Sequence, residues 1–241
     1  MSAGTRQPRL ADPEPGRVRN MFGSIAGRYD LMNGFMTAGM HHQWRRLGVE
    51  AAGVGEGDRA LDVCCGTGDF ALALYARTGH TGSVTGIDFS QRMLAVAREK
   101  AQRRGTSIDF RWGDATQLEF ADGGFDAVTV GFGVRNIPDL NRVFAEMTRV
   151  TRPGGKVVCL EITQPTRQPF SSFFSIWFDR MVPALGRLVS RDATAYSYLP
   201  ASVRRFPPAP RLARVMEEAG LNNVSYRLLA GSIIALHWGT V

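Results

Sequence analysis

The sequence predicts an α/β fold: a doubly wound, mostly parallel sheet of seven strands with a helical insertion before the last strand hairpin. Three observations predict it. Apolar strand-like runs alternate with helical stretches from residue 59 to residue 162, a glycine-containing turn follows the first run, and two further strand-like runs begin only at residue 223. Alternating strands and helices with short loops form a mostly parallel sheet with helices on both faces.

The individual elements follow from local patterns. The strand-like runs, bounded by turn residues, cover 59–65, 83–89, 107–112, 125–132, 156–162, 223–229 and 232–238. The helical stretches cover 69–77, 90–104, 139–150 and 209–219. Ser90 and Asp139 are predicted N-caps, because each is a short polar residue that immediately precedes a helical period.

The segments outside the alternation predict a tail and two helical additions. Residues 1–16 contain three prolines and no periodicity, which is typical of a flexible tail. Residues 17–53 predict an N-terminal helical segment that is broken at Gly34 and Gly39. Residues 168–206 predict a helical cap over the substrate site. We therefore expect one domain over residues 17–241.

Composition excludes several protein classes. With 44% hydrophobic and 21% charged residues, the chain is neither disordered nor collagen-like. Its three cysteines cannot form a disulfide scaffold and indicate a reducing compartment. It has no long uncharged apolar stretch and no apolar signal core, so we expect a cytoplasmic protein without a membrane span. The four histidines show no metal-site spacing, so no metal is expected.

The basic residues are concentrated in two parts of a chain whose net charge is +7. Residues 1–46 carry seven basic and three acidic side chains, and residues 167–214 carry eight basic and two acidic ones. This distribution indicates one basic face rather than the uniform basicity typical of nucleic-acid binding. A solvated arginine-rich surface without a partner is the alternative interpretation.

The turn after the first strand predicts a nucleotide-type site. Gly66 and Gly68 allow the backbone to pass close to a ligand that faces the amide groups of the following helix. Asp88 ends the second strand, where a carboxylate accepts both hydroxyls of a ribose. Asp114 and Ala115 form a further turn at the same edge of the sheet, and we expect them to face an adenine.

This turn fits two cofactors. Gly66-x-Gly68-x-x-Ala71 matches a dinucleotide-binding fingerprint, so an NAD-dependent dehydrogenase is one interpretation. A pyrophosphate, however, requires amide donors without nearby anions, whereas Asp62 and Asp69 flank this turn. Carboxylates suit a ligand with an ammonium and a sulfonium group, which favours S-adenosylmethionine. The structural alternative treats these carboxylates as strand-end or helix-cap residues.

Further motifs carry a family resemblance. The glycine turn, Asp88, Asp114 and the run RPGGK at 152–156 resemble those of class I methyltransferases, which have a Rossmann-like fold. The chain is also similar to the UbiE/MenG-type C-methyltransferases of ubiquinone and menaquinone biosynthesis in the motifs FxxIAxxYDxMN at 22–33, GxHxxW at 39–44, FGVRN at 132–136, YxYLPxS at 196–202 and ALH at 235–237. The resemblance covers residues 18–238.

The resemblance implies S-adenosylmethionine-dependent C-methylation of a prenylated quinol. The favoured reaction is the conversion of demethylmenaquinol to menaquinol. The equivalent benzoquinol step towards ubiquinone is the alternative within the family. Outside it, an NAD-dependent dehydrogenase and an inactive fold that binds RNA or a membrane remain. Aromatic residues on exposed strands would favour RNA, but here they cluster in the insertion, so no nucleic-acid partner is expected.

The resemblance also assigns candidate site residues. Cofactor contacts are expected from Tyr29, Gly66, Thr67, Gly68, Asp69, Asp88, Asp114, Ala115 and Gly131, and substrate contacts from His41, Asn136 and Tyr198. Arg135 is the candidate catalytic residue, because an isolated guanidinium in an apolar turn must meet an anion or a phenolic oxygen. A salt bridge to a structural carboxylate is its alternative role. Gly131 stands where the family usually has a serine, which removes one possible hydrogen bond to the cofactor.

The aromatic run at 168–190 predicts a membrane contact. Its apolar residues at helical spacing are Phe170, Phe173, Phe174, Trp177 and Met181, and the arginines around them are Arg167, Arg180, Arg187 and Arg191. Such a pattern fits an interfacial element on anionic lipid. Because the implied prenyl tail stays in the bilayer, we expect transient peripheral binding at the inner face of the membrane. The alternative is that these rings fill the core beneath the insertion.

Overall fold

The computed structural model describes residues 26–165 and 193–241, together with Gly16 and Gly23. The strands of this part are β1 Arg59–Val63, β2 Ser83–Asp88, β3 Ile108–Trp112, β4 Phe125–Gly131, β5 Thr151–Ile162, β6 Asn222–Leu229 and β7 Ile234–Thr240. Its α-helices are α1 Tyr29–Met36, α2 Met40–Ala52, α3 Asp69–Thr78, α4 Gln91–Arg103, α5 Leu140–Val150, α6 Ala193–Arg205 and α7 Ala209–Glu218. Short 3-10 turns cover Ala26–Arg28 and Val134–Asn136.

The strands form one sheet in the order β3-β2-β1-β4-β5-β7-β6. Strands β1 to β5 pair in parallel, whereas β7 is antiparallel to both β5 and β6. This confirms the predicted mostly parallel sheet with a final hairpin. The strand order reverses at β1, and ligands of such sheets bind beyond the carboxyl ends of the strands at this switch point.

The core consists of an apolar layer on each face of the sheet. Helices α2, α3 and α4 cover one face, where Leu74 and Leu94 are fully buried. Helices α5 and α7 cover the other, where Phe144 and Met216 are fully buried. Because each such side chain contributes about 1.5–3 kcal/mol when it leaves water, these two layers hold the strand ends in fixed positions.

Both predicted N-caps are confirmed. The Ser90 Oγ atom accepts a hydrogen bond from the Met93 amide at 3.5 Å, and Asp139 Oδ1 accepts one from the Arg142 amide at 2.9 Å. Each bond satisfies an amide that has no partner within its helix. The caps set where α4 and α5 begin, immediately beyond the switch-point edge of the sheet.

Two predicted boundaries are wrong. Gly34 lies inside α1, since one glycine costs a helix only about 1 kcal/mol; the break falls at 37–39, where Gly39 has a φ of 77°. Strand β5 begins at Thr151 rather than at 156, because Thr151 already pairs with Phe125 before a register shift in the ladder.

Several predictions concern residues outside the described part of the chain. They are the tail at 1–16 except Gly16, most of 17–25, and the aromatic and basic run at 168–190 with Arg167 and Arg191. Of the predicted helical cap at 168–206, the described portion is α6. Within residues 26–165 and 193–241, no helix has the length and apolarity needed to cross a bilayer.

Candidate active site

A cavity of about 440 Å³ lies beyond the carboxyl ends of β1, β2 and β4. Its volume is within the range of about 300–1,000 Å³ that is typical of small-molecule sites. The predicted site residues that line it are Tyr29, Gly66, Thr67, Asp69, Asp88, Asp114, Ala115, Gly131 and Asn136. The predicted site residues that do not line it are Gly68, His41, Arg135 and Tyr198.

Gly68 has a packing position rather than a place on the cavity wall. It adopts a φ of 83°, and a Cβ atom there would lie 2.8 Å from the Phe110 ring. Its amide donates a hydrogen bond to the Cys65 carbonyl at 2.9 Å. Gly68 therefore closes the turn and lets α3 begin directly against the sheet.

The backbone at the ends of β1 and β4 is strained. Cys64 and Phe132 have φ values of 55° and 60°, a region that side-chain-bearing residues rarely adopt. The two turns also touch, because a Cβ atom on Gly133 would lie 2.4 Å from the Cys64 Cβ. Strain of this kind is often found at ligand sites, and here it shapes the cavity wall.

Asp88 connects the glycine turn to the second strand. Its Oδ2 atom accepts a hydrogen bond from the Gly66 amide at 2.9 Å, and its Oδ1 atom accepts one from the Ser90 amide at 2.8 Å. Burial raises the pKa of this carboxyl to about 6, although both amides oppose the shift. Each oxygen retains a second lone pair, so the ionised group can still accept two hydroxyls from the cavity.

Asp114 shapes the turn after β3. Its Oδ1 atom accepts hydrogen bonds from the Thr116 amide at 2.8 Å and from the Thr116 hydroxyl at 2.7 Å. The Arg142 Nε atom on α5 donates to the Thr116 carbonyl at 2.9 Å. These bonds hold Ala115 at the cavity wall.

The two carboxylates that flank the glycine turn both line the cavity, but they differ in their charged partners. Asp69 contacts Arg45 at 3.1 Å and also contacts Lys100. Burial alone would raise the pKa of Asp69, but these two cations outweigh burial and lower it. The protein itself therefore neutralises the charge of Asp69.

Asp62 is the carboxylate that remains available. It is buried, and its Oδ1 atom accepts a hydrogen bond from the Thr129 hydroxyl at 2.9 Å. Its Oδ2 atom has no hydrogen-bond partner among the residues that the structure describes. Burial raises the pKa of Asp62 to about 7, against the opposing effects of Thr129 and Arg45. Because Asp62 lines the cavity, an ammonium group placed there would satisfy the free oxygen and favour its ionised form.

Cofactor affinity is expected to depend on pH through Asp62. Its folded pKa of about 7 lies above the ordinary 3.8, so the unliganded protein loses stability as pH rises from about 4 to 7 and no more above that. A ligand with an ammonium group requires the ionised form, so its affinity should increase as pH rises to about 7 and fall again above about pH 8, where an α-ammonium group loses its own proton. Calorimetry in two buffers of different ionisation enthalpy should detect proton release on binding near pH 6.5.

The matched variant for this prediction is Asp62→Asn, which keeps the shape of the side chain and cannot ionise. Asp88, with its pKa of about 6, remains in both proteins and supplies the common background. Identical proton release by wild type and variant would contradict the assignment to Asp62.

Phe70 explains why residue 131 is a glycine. A Cβ atom on Gly131 would lie 2.8 Å from the Phe70 Cδ1 atom, and one on Gly48 would lie 2.6 Å from the Phe70 Cζ atom. The ring therefore fills the space between these two glycines, and a serine at 131 would collide with it. The absence of a serine at 131 is therefore accounted for by the ring at position 70, which occupies the space that its side chain would need.

Gly131→Ser is expected to destabilise the protein by about 1–3 kcal/mol, the usual cost of overpacking a core. In a Phe70→Leu background the same change should cost less, because the smaller side chain leaves room for the new Cβ. Urea denaturation of the four proteins gives the coupling free energy. Equal costs in the two backgrounds would show that Phe70 does not exclude the serine.

Arg135 lies behind the cavity wall in a buried ion pair. Its Nη1 atom is 2.8 Å from Glu161 Oε1 on β5, and the two side chains are 6% and 1% exposed. The Arg135 amide donates to Glu161 Oε2 at 3.3 Å, and Nη1 also donates to the Phe132 carbonyl. Burial alone would lower the pKa of Arg135, but Glu161 outweighs it, so the pKa is raised. The alternative structural role is thus present, and a catalytic role for Arg135 stays a prediction.

Asn136 and Tyr198 are hydrogen-bonded to each other next to Arg135. The Tyr198 hydroxyl donates a hydrogen bond to Asn136 Oδ1 at 3.1 Å, and Asn136 Nδ2 donates to the Gly133 carbonyl at 3.1 Å. Burial raises the pKa of Tyr198, against the opposing charges of Arg135 and Arg205. Tyr198 therefore keeps its proton at neutral pH and acts as a donor.

His41 lies at the junction between α1 and α2. Its Nδ1 atom is 2.6 Å from the Thr37 hydroxyl, and its ring centroid is 4.0 Å from that of His42. Burial, together with the Arg45 charge, lowers the pKa of His41 to about 4, so the imidazole is neutral at pH 7. These contacts hold the helix junction, and a substrate contact for His41 stays a prediction.

Sequence reasoning missed Arg45 and Glu161, and it did not place Asp62 among the cofactor residues. The signal for Arg45 is its helical spacing, since the other buried positions of α2 are His41, Trp44, Gly48, Val49 and Ala52. The signal for Glu161 is a charge within an apolar strand, which requires a buried partner.

Comparison with known proteins agrees with this geometry. The model of the ubiE/COQ5 methyltransferase family matches residues 11–241. The chain is 42% identical over 231 residues to a demethylmenaquinone methyltransferase of Halalkalibacterium halodurans, covering 95% of this chain and 94% of that protein. It is also 42% identical over 223 residues to a demethylmenaquinone methyltransferase of Staphylococcus aureus, covering 92% of each.

The solved structures resemble the fold. A methyltransferase of Thermotoga maritima, described as S-adenosylmethionine-dependent and a possible histamine N-methyltransferase, superimposes with a TM-score of 0.63 at 16% identity over 92% of this chain and 98% of that one. This likeness confirms the class I methyltransferase architecture. The glycine turn, the Asp88 carboxylate and the unpartnered oxygen of Asp62 fit the ribose and the ammonium group of S-adenosylmethionine. The chain therefore belongs to the ubiE/COQ5 methyltransferase family and is an S-adenosylmethionine-dependent methyltransferase.

Proposed function

We propose that this methyltransferase methylates a ring carbon of the prenylated quinol demethylmenaquinol and so forms menaquinol. The names of its relatives support the naphthoquinol ring, because both are demethylmenaquinone methyltransferases. They do not favour the benzoquinol step towards ubiquinone, and the family does not favour an NAD-dependent dehydrogenase.

The single observation that carries the proposal is the hydrogen bond between Asn136 and Tyr198 beside the buried Arg135. Asn136 lines the cavity next to the apolar residues Phe132, Ile137 and Pro138. Tyr198 lies outside this wall and holds the Asn136 amide by its hydrogen bond. An apolar wall with one positioned amide suits an aromatic ring that bears a hydroxyl group. A positive charge behind that pair favours the ionised hydroxyl.

The chemistry divides between the cofactor and the chain. S-adenosylmethionine, when bound, supplies an electrophilic methyl group on its sulfonium. A ring carbon attacks well only after the neighbouring hydroxyl has lost its proton, so the chain must stabilise an oxyanion and orient the ring. Arg135 supplies the positive charge for the oxyanion and does not take the proton, because the pKa of its guanidinium is raised. The hydroxyl proton passes to a water molecule, and so does the proton that the ring carbon loses after it has been methylated. Asn136 and Tyr198 orient the quinol oxygen, and the reduced quinol rather than the quinone is the substrate.

The test is a methyl-transfer assay with four acceptors. The protein is incubated with methyl-labelled S-adenosylmethionine and short-chain demethylmenaquinone or its benzoquinone counterpart, each reduced or oxidised. We expect label in the reduced naphthoquinol, identified by mass spectrometry, and none in the oxidised naphthoquinone. Label only in the benzoquinol, or in no acceptor, would overturn the proposed substrate.

We also propose that this enzyme is cytoplasmic and binds anionic membrane transiently through residues 168–190, because the proposed substrate carries a tail that stays in the bilayer. In flotation assays the wild type should bind anionic but not neutral liposomes, since each basic residue near an anionic surface contributes about 1 kcal/mol. Changing Arg180, Arg187 and Arg191 to Glu should abolish flotation. If the wild type ignores anionic liposomes at low salt, a carrier must deliver the quinol instead.

A further inference from the structure

Arg45 is a basic residue on the buried face of α2. It is 8% exposed, whereas the adjacent Arg46 points to solvent. Arginine is almost never buried without a partner, so the surroundings of this guanidinium have to account for its charge.

The partner that Arg45 has within the protein satisfies it only in part. Its Nη1 atom lies 3.1 Å from Asp69 Oδ2, but this buried nitrogen makes no hydrogen bond of proper geometry to any described residue. Asp69 is also held by Lys100, whose ammonium lies 2.8 Å from Asp30 as well. Arg45 and Lys100 together balance the charges of Asp69 and Asp30, but the Nη1 donor of Arg45 has no hydrogen bond within the described part of the chain.

Arg45 is also a wall residue of the cavity. Arg45 is the one basic side chain among the described residues that line it, and its guanidinium carbon lies 6.0 Å from the centroid of the Phe132 ring on the same wall. The charge of Arg45 reaches Asp62, since it opposes the rise in the pKa of that carboxyl. Among the described residues, the cavity thus places one cation within electrostatic range of Asp62, whose Oδ2 atom is unpartnered.

We infer that Arg45 binds the α-carboxylate of the methionyl group of S-adenosylmethionine, while Asp62 binds the α-ammonium group. A guanidinium presents planar donors that match a carboxylate, and such charge-assisted bonds are the strong ones in a site that excludes water. The inference rests on the cofactor part of the proposed function and is independent of which quinol is methylated.

The test compares two ligands by calorimetry. One is S-adenosylhomocysteine, and the other is its decarboxylated analogue, which lacks only the carboxylate. Wild type should bind the first about 10- to 100-fold more tightly, as expected for hydrogen bonds to a charged group. Arg45→Gln should bind the two ligands with nearly equal affinity, because the selective partner of the carboxylate is gone.

The neighbouring arginine provides the matched control. Arg46→Gln removes an equal charge from the outer face of the same helix and should keep the wild-type preference. Should Arg45→Gln fail to fold, Arg45→Lys keeps the charge without the planar donors and should show a reduced preference.

Two results would overturn the inference. One is a wild type that does not distinguish the ligands, and the other is an Arg45→Gln variant that weakens both equally, as a merely structural role would. The quinol proposal fails separately. If the wild type discriminates between the ligands but methylates neither quinol, the carboxylate-binding role of Arg45 is supported and the proposed quinol substrate is wrong.

Discussion

Arg135→Ala is expected to lower the free energy of unfolding by about 3–5 kcal/mol, because it would leave the Glu161 carboxylate buried without its charged partner. Glu161 is 1% exposed, and its Oε1 atom lies 2.8 Å from Arg135 Nη1, so water cannot replace the lost contact. Urea denaturation of the cofactor-free protein measures the effect. The matched control is Arg211→Ala, which breaks the half-exposed pair with Glu218 and should cost no more than about 1 kcal/mol.

A double variant separates the structural role of Arg135 from its catalytic one. Arg135→Met with Glu161→Gln removes both charges, and it should regain most of the stability because no charge is left unpaired. If Arg135 stabilises the quinol oxyanion, this folded variant should still turn over about 10²–10³-fold more slowly, as when one oxyanion donor is lost. Normal turnover in the double variant would show that the arginine serves only the fold.

Asp88→Ala is expected to weaken cofactor binding by about 2–3 kcal/mol, or roughly 30- to 150-fold in Kd, because hydrogen bonds to a charged acceptor are the strong ones. The variant would lack the carboxylate that accepts the two ribose hydroxyls, and the Gly66 and Ser90 amides that Asp88 holds at 2.9 and 2.8 Å would lose their acceptor. Calorimetry with S-adenosylhomocysteine measures the loss.

The control for Asp88 is Asp109→Ala, since Asp109 lies on β3 in an exposed pair with Arg111 and should leave the affinity unchanged. Thermal unfolding without ligand shows how much of the effect comes from the loosened turn. An Asp88→Ala protein with wild-type affinity would remove this residue from the cofactor site.

The sequence by itself was sufficient for the sheet, the hairpin and the edge at which the cavity opens. These features depend on local signals: the alternation of apolar runs and helical periods, and caps such as Ser90 and Asp139, whose bonds reach only three residues along the chain. Because the carboxyl ends of parallel strands share one edge of the sheet, the strand pattern is enough to predict that the turns after β1, β2, β3 and β4 meet at that edge.

The tertiary structure alone decided which charges face the cavity and which are neutralised by the protein. Asp62 and Asp69 are equivalent in the sequence argument, yet Lys100, 31 residues from Asp69, neutralises only the latter. Glu161 meets Arg135 across 26 residues of chain, through the pairing of β4 with β5. Arg45 and Arg46 are adjacent and chemically identical, and helix packing buries only the first. The physical reason is common to all three: local propensity acts through neighbours in sequence, whereas the state of a buried charge depends on partners that only the packed sheet and helices bring within reach.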